Sequence, residues 1–289
     1  MISMLALSPA VDVTYELDAL VPGDINRPSQ TTRVAGGKAL NAARVARALG
    51  ADVRVTAALG GANGEWIRRR LEVDDLPTTV IALAAETRTC FALVESDGGA
   101  SSTDVYEAAT AFSSDEWARF ADAVRTARAA RWTAVSGSIP PGVPPAELTA
   151  LLAEMRARGS RVAVDTSGAA LAQLALHSDL LKVNRAEASE LLGREMPDAA
   201  SACAALHEQC GVDAVVTDGV RGGAALSAGE LHHLAPPRAV GRFPAGSGDS
   251  FFGGLLTGLD GGAPFAAALE IARDAAERNA HVPGQGVLA

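Results

Sequence analysis

From about residue 112 the chain alternates short apolar runs with longer amphipathic ones. A helix over 114–128 leads to a strand over 132–136, then to the irregular loop SGSIPPGVPP. A helix over 145–158, a strand over 161–165, a short helix and a strand over 180–184 follow. A helix from Ala186 and a strand over 214–217 complete the series. Strands separated by helices cannot be hairpin partners; they build a mostly parallel sheet with helices on both faces. Ligands of such sheets bind beyond the carboxyl ends of the strands. Gly137, Asp165, Asn184 and Asp218 fall at those ends.

The first half is more mixed. Ile2 to Leu7 suits a core strand, and Val11 to Leu17 alternates apolar and polar residues as a half-buried strand does. Val53 to Gly60 reads as a strand and Gly64 to Leu71 as a helix. Val80-Ile81, the run Thr87 to Val94 and a turn at Asp97-Gly98-Gly99 return to strand character. We expect a single domain over 1–289, with segments near 10–34 and 78–108 forming a small β-sheet lid.

Composition narrows the partners. A net charge of −9 and a pI near 5.1 argue against nucleic acid and against an anionic membrane surface. The three cysteines have no CxxC spacing, and the histidines lack metal-ligand spacing. The opening MISMLALSPAVD has neither the basic region nor the apolar core of a signal peptide, and no run is long enough to span a membrane. A reducing, cytoplasmic location is the expectation.

Two glycine-rich turns stand ahead of helices. Gly246-Ser247-Gly248 precedes the apolar, glycine-studded run from Phe251, with Asp249 beside it. Backbone N–H groups at a helix start, with the positive end of its dipole, form an anion hole. A carboxylate next to a bound anion needs a task, such as taking a proton from an attacking hydroxyl. An ordinary turn with Asp249 as N-cap fits these residues equally well. In RVAGGKALNAARVARALG, Gly36-Gly37 opens a helix whose Leu40, Ala43, Ala46 and Leu49 line one face, with Arg44 and Arg47 outside and Gly50 closing it. Lys38 and Asn41 fall on its first turn. Lys38 as a plain surface lysine and Asp12 as a turn residue remain open alternatives.

The ordered set SPAVD (8–12), GGKALNAARVARALG (36–50), ETR (86–88), SGSIPPG (136–142), DTSG (165–168), NRAE (184–187) and AGSGDS (245–250) resembles the ribokinase-like, PfkB-type sugar kinases. The likeness is greatest to the branch of 1-phosphofructokinase and tagatose-6-phosphate kinase, and it runs from residue 2 to about 286. It implies a three-layer α/β/α domain with a β-sheet lid, often a homodimer joined through the lids. It also implies transfer of the γ-phosphoryl group of ATP, with Mg²⁺, to a hydroxyl of a sugar phosphate. Asp249 would be the catalytic base, and the turn Gly246, Ser247 and Gly248 would hold the charge on the transferred group. Asp12, Gly37 and Asn41 would meet the sugar, with Ser138 of the SGSIPPG loop also on the substrate. Lys38 and Arg88 would bind the phosphate the substrate already carries, and Arg27 would help close the site. Asn184 would lie on the nucleotide and Glu187 would serve Mg²⁺ through water. Thr217, Asp218, Gly219 and Gly222 would line the nucleotide, with Asn279 and Gly284 near the adenine. The chain departs from the pattern at Glu107-Ala108-Ala109-Thr110, where relatives tend to have Glu-Pro-Gly-Pro.

Other readings make different demands. A kinase of a free sugar or nucleoside needs no cation pair at the acceptor. A catalytically weak sensor would have lost Asp249 or the glycines, which are present. A dinucleotide-dependent dehydrogenase would want GxGxxG after the first strand, and residues 2–37 contain none.

Overall fold

The computed structural model describes residues 1–96 and 101–289. A nine-stranded sheet runs in the order β13-β12-β11-β10-β9-β8-β1-β4-β5. Its parallel part comprises β1 (Ile2–Ala6), β4 (Val53–Gly60), β5 (Thr78–Leu83), β8 (Trp132–Ser136), β9 (Arg161–Asp165), β10 (Leu180–Asn184) and β11 (Asp213–Thr217). The antiparallel strands β12 (Gly223–Ser227) and β13 (Glu230–Leu234) extend one edge. A separate four-stranded sheet, ordered β3-β2-β6-β7, contains β2 (Ala10–Leu17), β3 (Gln30–Gly36), β6 (Thr89–Glu95) and β7 (Thr103–Tyr106). This is the expected three-layer arrangement with a small second sheet.

Period-two side-chain geometry explains why the central parallel strands are largely apolar on both faces. In β1, Ile2, Met4 and Ala6 enter one core and Leu5 enters the other. The first core packs under α1 (Lys38–Ala48), α2 (Gly61–Val73), α8 (Ser247–Asp260) and α9 (Phe265–Ala280). The second packs under α3 (Ser114–Thr126), α4 (Pro145–Ala157), α5 (Ala169–Ala175), α6 (Arg185–Leu192) and α7 (Ala199–Cys210). β1 pairs with β4 on one side and β8 on the other. Strand order therefore reverses there, which opens a crevice beyond the end of β1.

Three expectations need correction. The segment 78–108 does not belong wholly to the lid, because β5 continues the parallel register from β4 and caps the large sheet. β2 is buried along most of its length rather than wet on one face, and its Val11 and Val13 enter the first core. The helix from Ala186 is two helices: Gly193 adopts φ 65 and ends α6, and the Asp198 side chain accepts from Ser201 N at 2.7 Å to start α7. The expected turn at 97–99 lies outside the described residues. Among the described residues no helix is long and apolar enough to cross a membrane.

The glycines of α8 let it pack closely against α1 and α9. A Cβ on Gly253 would stand 2.4 Å from the Ala42 carbonyl oxygen of α1. Cβ atoms on Gly254 and Gly258 would stand 2.9 and 2.7 Å from the Cα atoms of Ala272 and Ala268 on α9. Gly→Ala in an exposed helix interior stabilises by roughly 1 kcal/mol. Here Gly253→Ala is expected to destabilise by about 1–3 kcal/mol, the cost of overpacking. A urea midpoint at or above that of the wild type would contradict this account of the α1–α8 contact.

Candidate active site

Two helix starts face the crevice. Gly246 takes φ 83 and ψ −7 and caps α8; a Cβ there would lie 2.7 Å from the Gln285 Cα, so the turn requires glycine. The Ser247 N–H is taken by the Pro244 carbonyl at 3.1 Å. The N–H groups of Gly248 and Asp249 follow, and first-turn positions have no helical acceptor. A Cβ on Gly248 would stand 3.1 Å from the Lys182 Nζ, so the glycine makes room for an ammonium beside the turn. Gly37, at φ 86, caps α1 close to the Ser8 carbonyl at the end of β1.

Between these turns lies a chain of buried polar groups. Asn41 Nδ2 donates to Asp12 Oδ2 and to Asp249 Oδ2, each at 3.0 Å. The Gly37 N–H also donates to Asp12 Oδ2, at 3.0 Å. Asn41 is fully buried, and Asp12 and Asp249 nearly so. Burial pushes the Asp249 carboxyl above the usual carboxylate range, against the pull of Lys38. Burial likewise pushes Asp12 up to about 6, although Asn41 and Gly37 donate to it. Gly36 leaves the space these contacts need, since a Cβ there would overlap the Asp12 carboxylate.

Asp165, at the end of β9, is fully buried between two ammonium groups. Lys38 Nζ lies 3.1 Å from Oδ1 and Lys182 Nζ lies 3.0 Å from Oδ2. Burial would raise the Asp165 pKa, but Lys182 and then Lys38 outweigh it and hold the carboxyl below its ordinary value. Asp165 in turn keeps Lys38 protonated above the ordinary lysine range. Asp165 was expected at a ligand-binding strand end but given no role, and Lys182 was not among the candidate residues. A lysine inside the apolar run Leu180-Leu181-Lys182-Val183 is the signal that could have found them, because a buried ammonium needs a carboxylate.

The ETR motif places Arg88. Glu86 accepts from Ala62 N and Asn63 N at the start of α2, at 3.1 and 2.6 Å. Thr87 Oγ1 accepts from Gly60 N at 2.9 Å. Arg88 then donates to the Ser8 and Glu107 carbonyls at 3.2 and 3.1 Å, which holds it beside the turn that carries Gly37. Glu107 also accepts from Thr89 N at 2.7 Å, so this residue, ahead of the divergent Ala108-Ala109-Thr110, helps fix Arg88. A Cβ on Gly137 would lie 3.5 Å from the Lys38 Cβ, which brings the exposed Ser138 to the same rim. Arg27 stands exposed in the loop between β2 and β3.

A cavity of about 340 Å³ opens beside the α8 turn. Its walls include Asn184, Thr217, Gly219, Gly222, Ser247 and Gly248, with apolar surface from Val220, Pro237, Val240, Phe251 and Ala276 and polar groups from Arg273 and Glu277. Asn184 and Glu187 form a reciprocal capping box: Glu187 N donates to Asn184 Oδ1 at 2.9 Å, and Asn184 N donates to Glu187 Oε2 at 2.8 Å. Glu187 is also close enough to Lys38 to strengthen its hold on the proton.

Three residues expected along the nucleotide do not line this cavity. The Asp218 carboxylate is occupied by Arg221, at 2.6 and 2.8 Å, and by Arg185 at 3.2 Å, so it braces its own loop. Asn279 is fully buried behind the α8 turn. Its Nδ2 donates to the Ala245 carbonyl at 3.0 Å, and its Oδ1 accepts from Gly286 N and Ser250 Oγ at 2.8 and 3.1 Å. Gly284 lies against Thr32 and Val34 of β3. Arg44, expected on the outside of α1, is turned inward, because α1 is covered by the sheet, by α8 and by the C-terminal loop.

The same architecture recurs among solved proteins. The phosphofructokinase-2 of Escherichia coli, in complex with substrates and products, superposes with a TM-score of 0.89 at 24% identity, over 96% of this chain and 92% of that one. The same enzyme in complex with potassium gives 0.90 at 23%, over 100% and 95%. A Thermotoga maritima protein described as a possible 1-phosphofructokinase gives 0.84 at 19%, over 96% and 91%. At such identities the likeness establishes the fold. The model of the pfkB family of carbohydrate kinases matches residues 6–286, nearly the whole chain. With that match and the two glycine-capped helix starts around Asp249, the chain belongs to the pfkB family of carbohydrate kinases.

Proposed function

We propose that the protein is an ATP-dependent kinase of a ketohexose phosphate, with Asp249 as general base. The observation that carries this reading is a nearly buried carboxylate on the first turn of a helix whose glycine cap offers N–H groups beside the Lys182 ammonium. In the reaction the acceptor hydroxyl gives its proton to Asp249 as its oxygen bonds to the γ-phosphorus. The bond from that phosphorus to the β-phosphate oxygen breaks, and the electron pair leaves with ADP. The N–H groups of the α8 turn and Lys182 stabilise the charge on the transferred group, an arrangement worth roughly 10²–10³ in rate for one good donor.

The cavity beside the turn has the size and mixed lining expected of a nucleoside pocket. Asn184, Thr217, Gly219 and Gly222 are its proposed nucleotide contacts. Mg²⁺ bound with the nucleotide would neutralise triphosphate charge. The carboxylate of Glu187 and the amide of Asn184, oxygen donors at one helix start, are the groups suited to hold it, Glu187 through water. On the acceptor side, Asp12, Gly37, Asn41 and Ser138 are the proposed sugar contacts. Lys38 and Arg88 are the proposed ligands of the substrate's own phosphate. A kinase of free sugars would not need them. β7 is exposed at every residue, with Val105 at 53% and Tyr106 at 55%, an apolar surface that a lid-to-lid homodimer would cover.

An ADP-release assay with Mg-ATP tests the reading against fructose 1-phosphate, fructose 6-phosphate and tagatose 6-phosphate beside free fructose, ribose and adenosine. Turnover on one phosphate and silence on the free compounds is expected; turnover only on a free sugar or nucleoside would remove the phosphate assignment of Lys38 and Arg88. Asp249→Asn should lower kcat by ~10²-fold or more, a general-base magnitude. Because a base acts deprotonated and burial raises the Asp249 pKa, wild-type kcat should fall on acidification from a pH above the ordinary aspartate range. Near-normal turnover in Asp249→Asn would remove Asp249 from the mechanism.

Asp12 gives a prediction on stability. A carboxyl whose folded pKa is raised from 3.8 to about 6 contributes stability only while protonated, and that contribution is lost as pH rises through about 6. Asp12→Asn should therefore match the wild type in stability near pH 4. It should exceed the wild type above pH 6, by at most about 3 kcal/mol at 1.36 kcal/mol per unit, while losing affinity for the acceptor. A gap in chemical-denaturation free energy that does not open with pH would overturn this view of Asp12.

A further inference from the structure

We propose that Arg44 is a positioning residue: it fixes the Asn41 amide with both N–H groups aimed at Asp12 and Asp249, and so holds the Asp249 carboxylate in its working orientation. The inference rests on Asp249 being the base.

An asparagine amide is nearly symmetric in shape, so its orientation is decided by its hydrogen-bond partners. Asn41 spends its amide nitrogen on two carboxylates, Asp12 and Asp249, at 3.0 Å each. Its oxygen accepts from Arg44 Nη1 at 3.3 Å. Reversal would turn the carbonyl oxygen toward both carboxylates and the amide nitrogen toward a guanidinium, so all three contacts would become unfavourable. With Asp249 Oδ2 held by Asn41, Oδ1 is the oxygen left for the acceptor hydroxyl.

Arg44 can serve as a fixed reference because it is itself tied from several directions. Its Nη1 also donates to the Gln285 carbonyl at 3.0 Å, its Nη2 donates to the Ala35 carbonyl of β3, and its Nε donates to Asp74 Oδ2 at 3.3 Å. Asp74 caps the end of α2, and Gln285 belongs to the C-terminal loop. Only 14% of the Arg44 side chain is exposed. A planar fork with several donors can span such a set of acceptors, which a lysine cannot.

The charged and titratable groups around Asp249 are Asp12 on β2, Lys38 on α1, Tyr106 on β7, Asp165 on β9 and Lys182 on β10, and the Arg44 charge acts on Asp12. A second route from Arg44 to Asp249 is therefore its charge, acting through Asp12. A double-mutant cycle separates the two.

The experiment measures kcat and KM against pH with Mg-ATP and whichever of the three ketohexose phosphates supports turnover. It uses the wild type, Arg44→Met, Asn41→Ala and the double variant. Arg44→Met is expected to lower kcat roughly 10-fold, a fraction of the roughly 10²–10⁴-fold that a general base supplies. Its acid limb should move to higher pH by about one unit, since Asp249 loses a donor to its charged form. In the Asn41→Ala background the same substitution should change neither. A limb that stays in place while only the melting temperature falls would overturn the proposal, and so would equal shifts in both backgrounds. Should Arg44→Met fail to fold, Arg44→Lys is expected to shift the limb in the same direction by less; an unmoved limb there counts equally against it. Near-normal turnover in Asp249→Asn would instead remove the underlying reading. Inactive Asp249→Asn with an unmoved limb in Arg44→Met would remove this inference alone.

Discussion

The contact on which the site depends is the approach of α1 to α8, where Gly253 lies against the Ala42 carbonyl. Asn41 and Asp249 sit on different helices far apart in sequence, and they share a hydrogen bond because the two backbones come this close. The same approach aims both helix starts into one crevice. Each start is capped by a glycine at positive φ, Gly37 and Gly246, which lets the backbone turn without a Cβ. Two positive dipole ends then converge where a parallel sheet reverses its strand order, a natural place for anionic ligands.

A protein with a net charge of −9 must concentrate its cations where anions are to be handled. Here the buried carboxylates Asp12, Asp165 and Asp249 are interleaved with Lys38, Lys182 and Arg44. Their environments push them apart in acidity. Asp165, between two ammonium groups, stays ionised and acts as a fixed counter-charge. Asp249 and Asp12 meet amide and backbone donors instead, and burial raises both. A carboxylate with a raised pKa is suited to taking a proton; one with a lowered pKa is suited to holding cations.

Much of this was legible in the residues. Strand–helix alternation gave the parallel sheet, because a two-sided core demands apolar residues on both faces of its strands. The glycine turns before α1 and α8 were visible because helix starts and left-handed turns have residue preferences. What escaped depends on long-range packing. Nothing local separates Thr78 to Leu83 from a lid strand; its place in the large sheet follows from pairing with β4. Arg44 has the spacing of an outward-facing residue, and it points inward because the C-terminal loop covers that side of α1. The hydrogen bonds of Asp218 to Arg221 and of Asn279 to the Ala245 carbonyl likewise depend on packing that a local reading does not show.

The small sheet and the proposed base meet at the Asn41 side chain. Asp12 lies near the start of β2, the strand that follows directly from β1, while Asp249 lies on α8 beside the large sheet. Both hang on the Asn41 amide, which has two N–H groups and no more to give. A change in β2 that lengthens the Asp12 contact therefore alters the field and the donor at Asp249 without touching it. Conversely, protonation of either carboxylate weakens what that oxygen accepts from Asn41. The protonation of Asp12 and that of Asp249 are thus linked through Asn41, and the linkage is reciprocal. Any group that took a hydrogen bond away from Asp12 would act on the same amide that donates to Asp249.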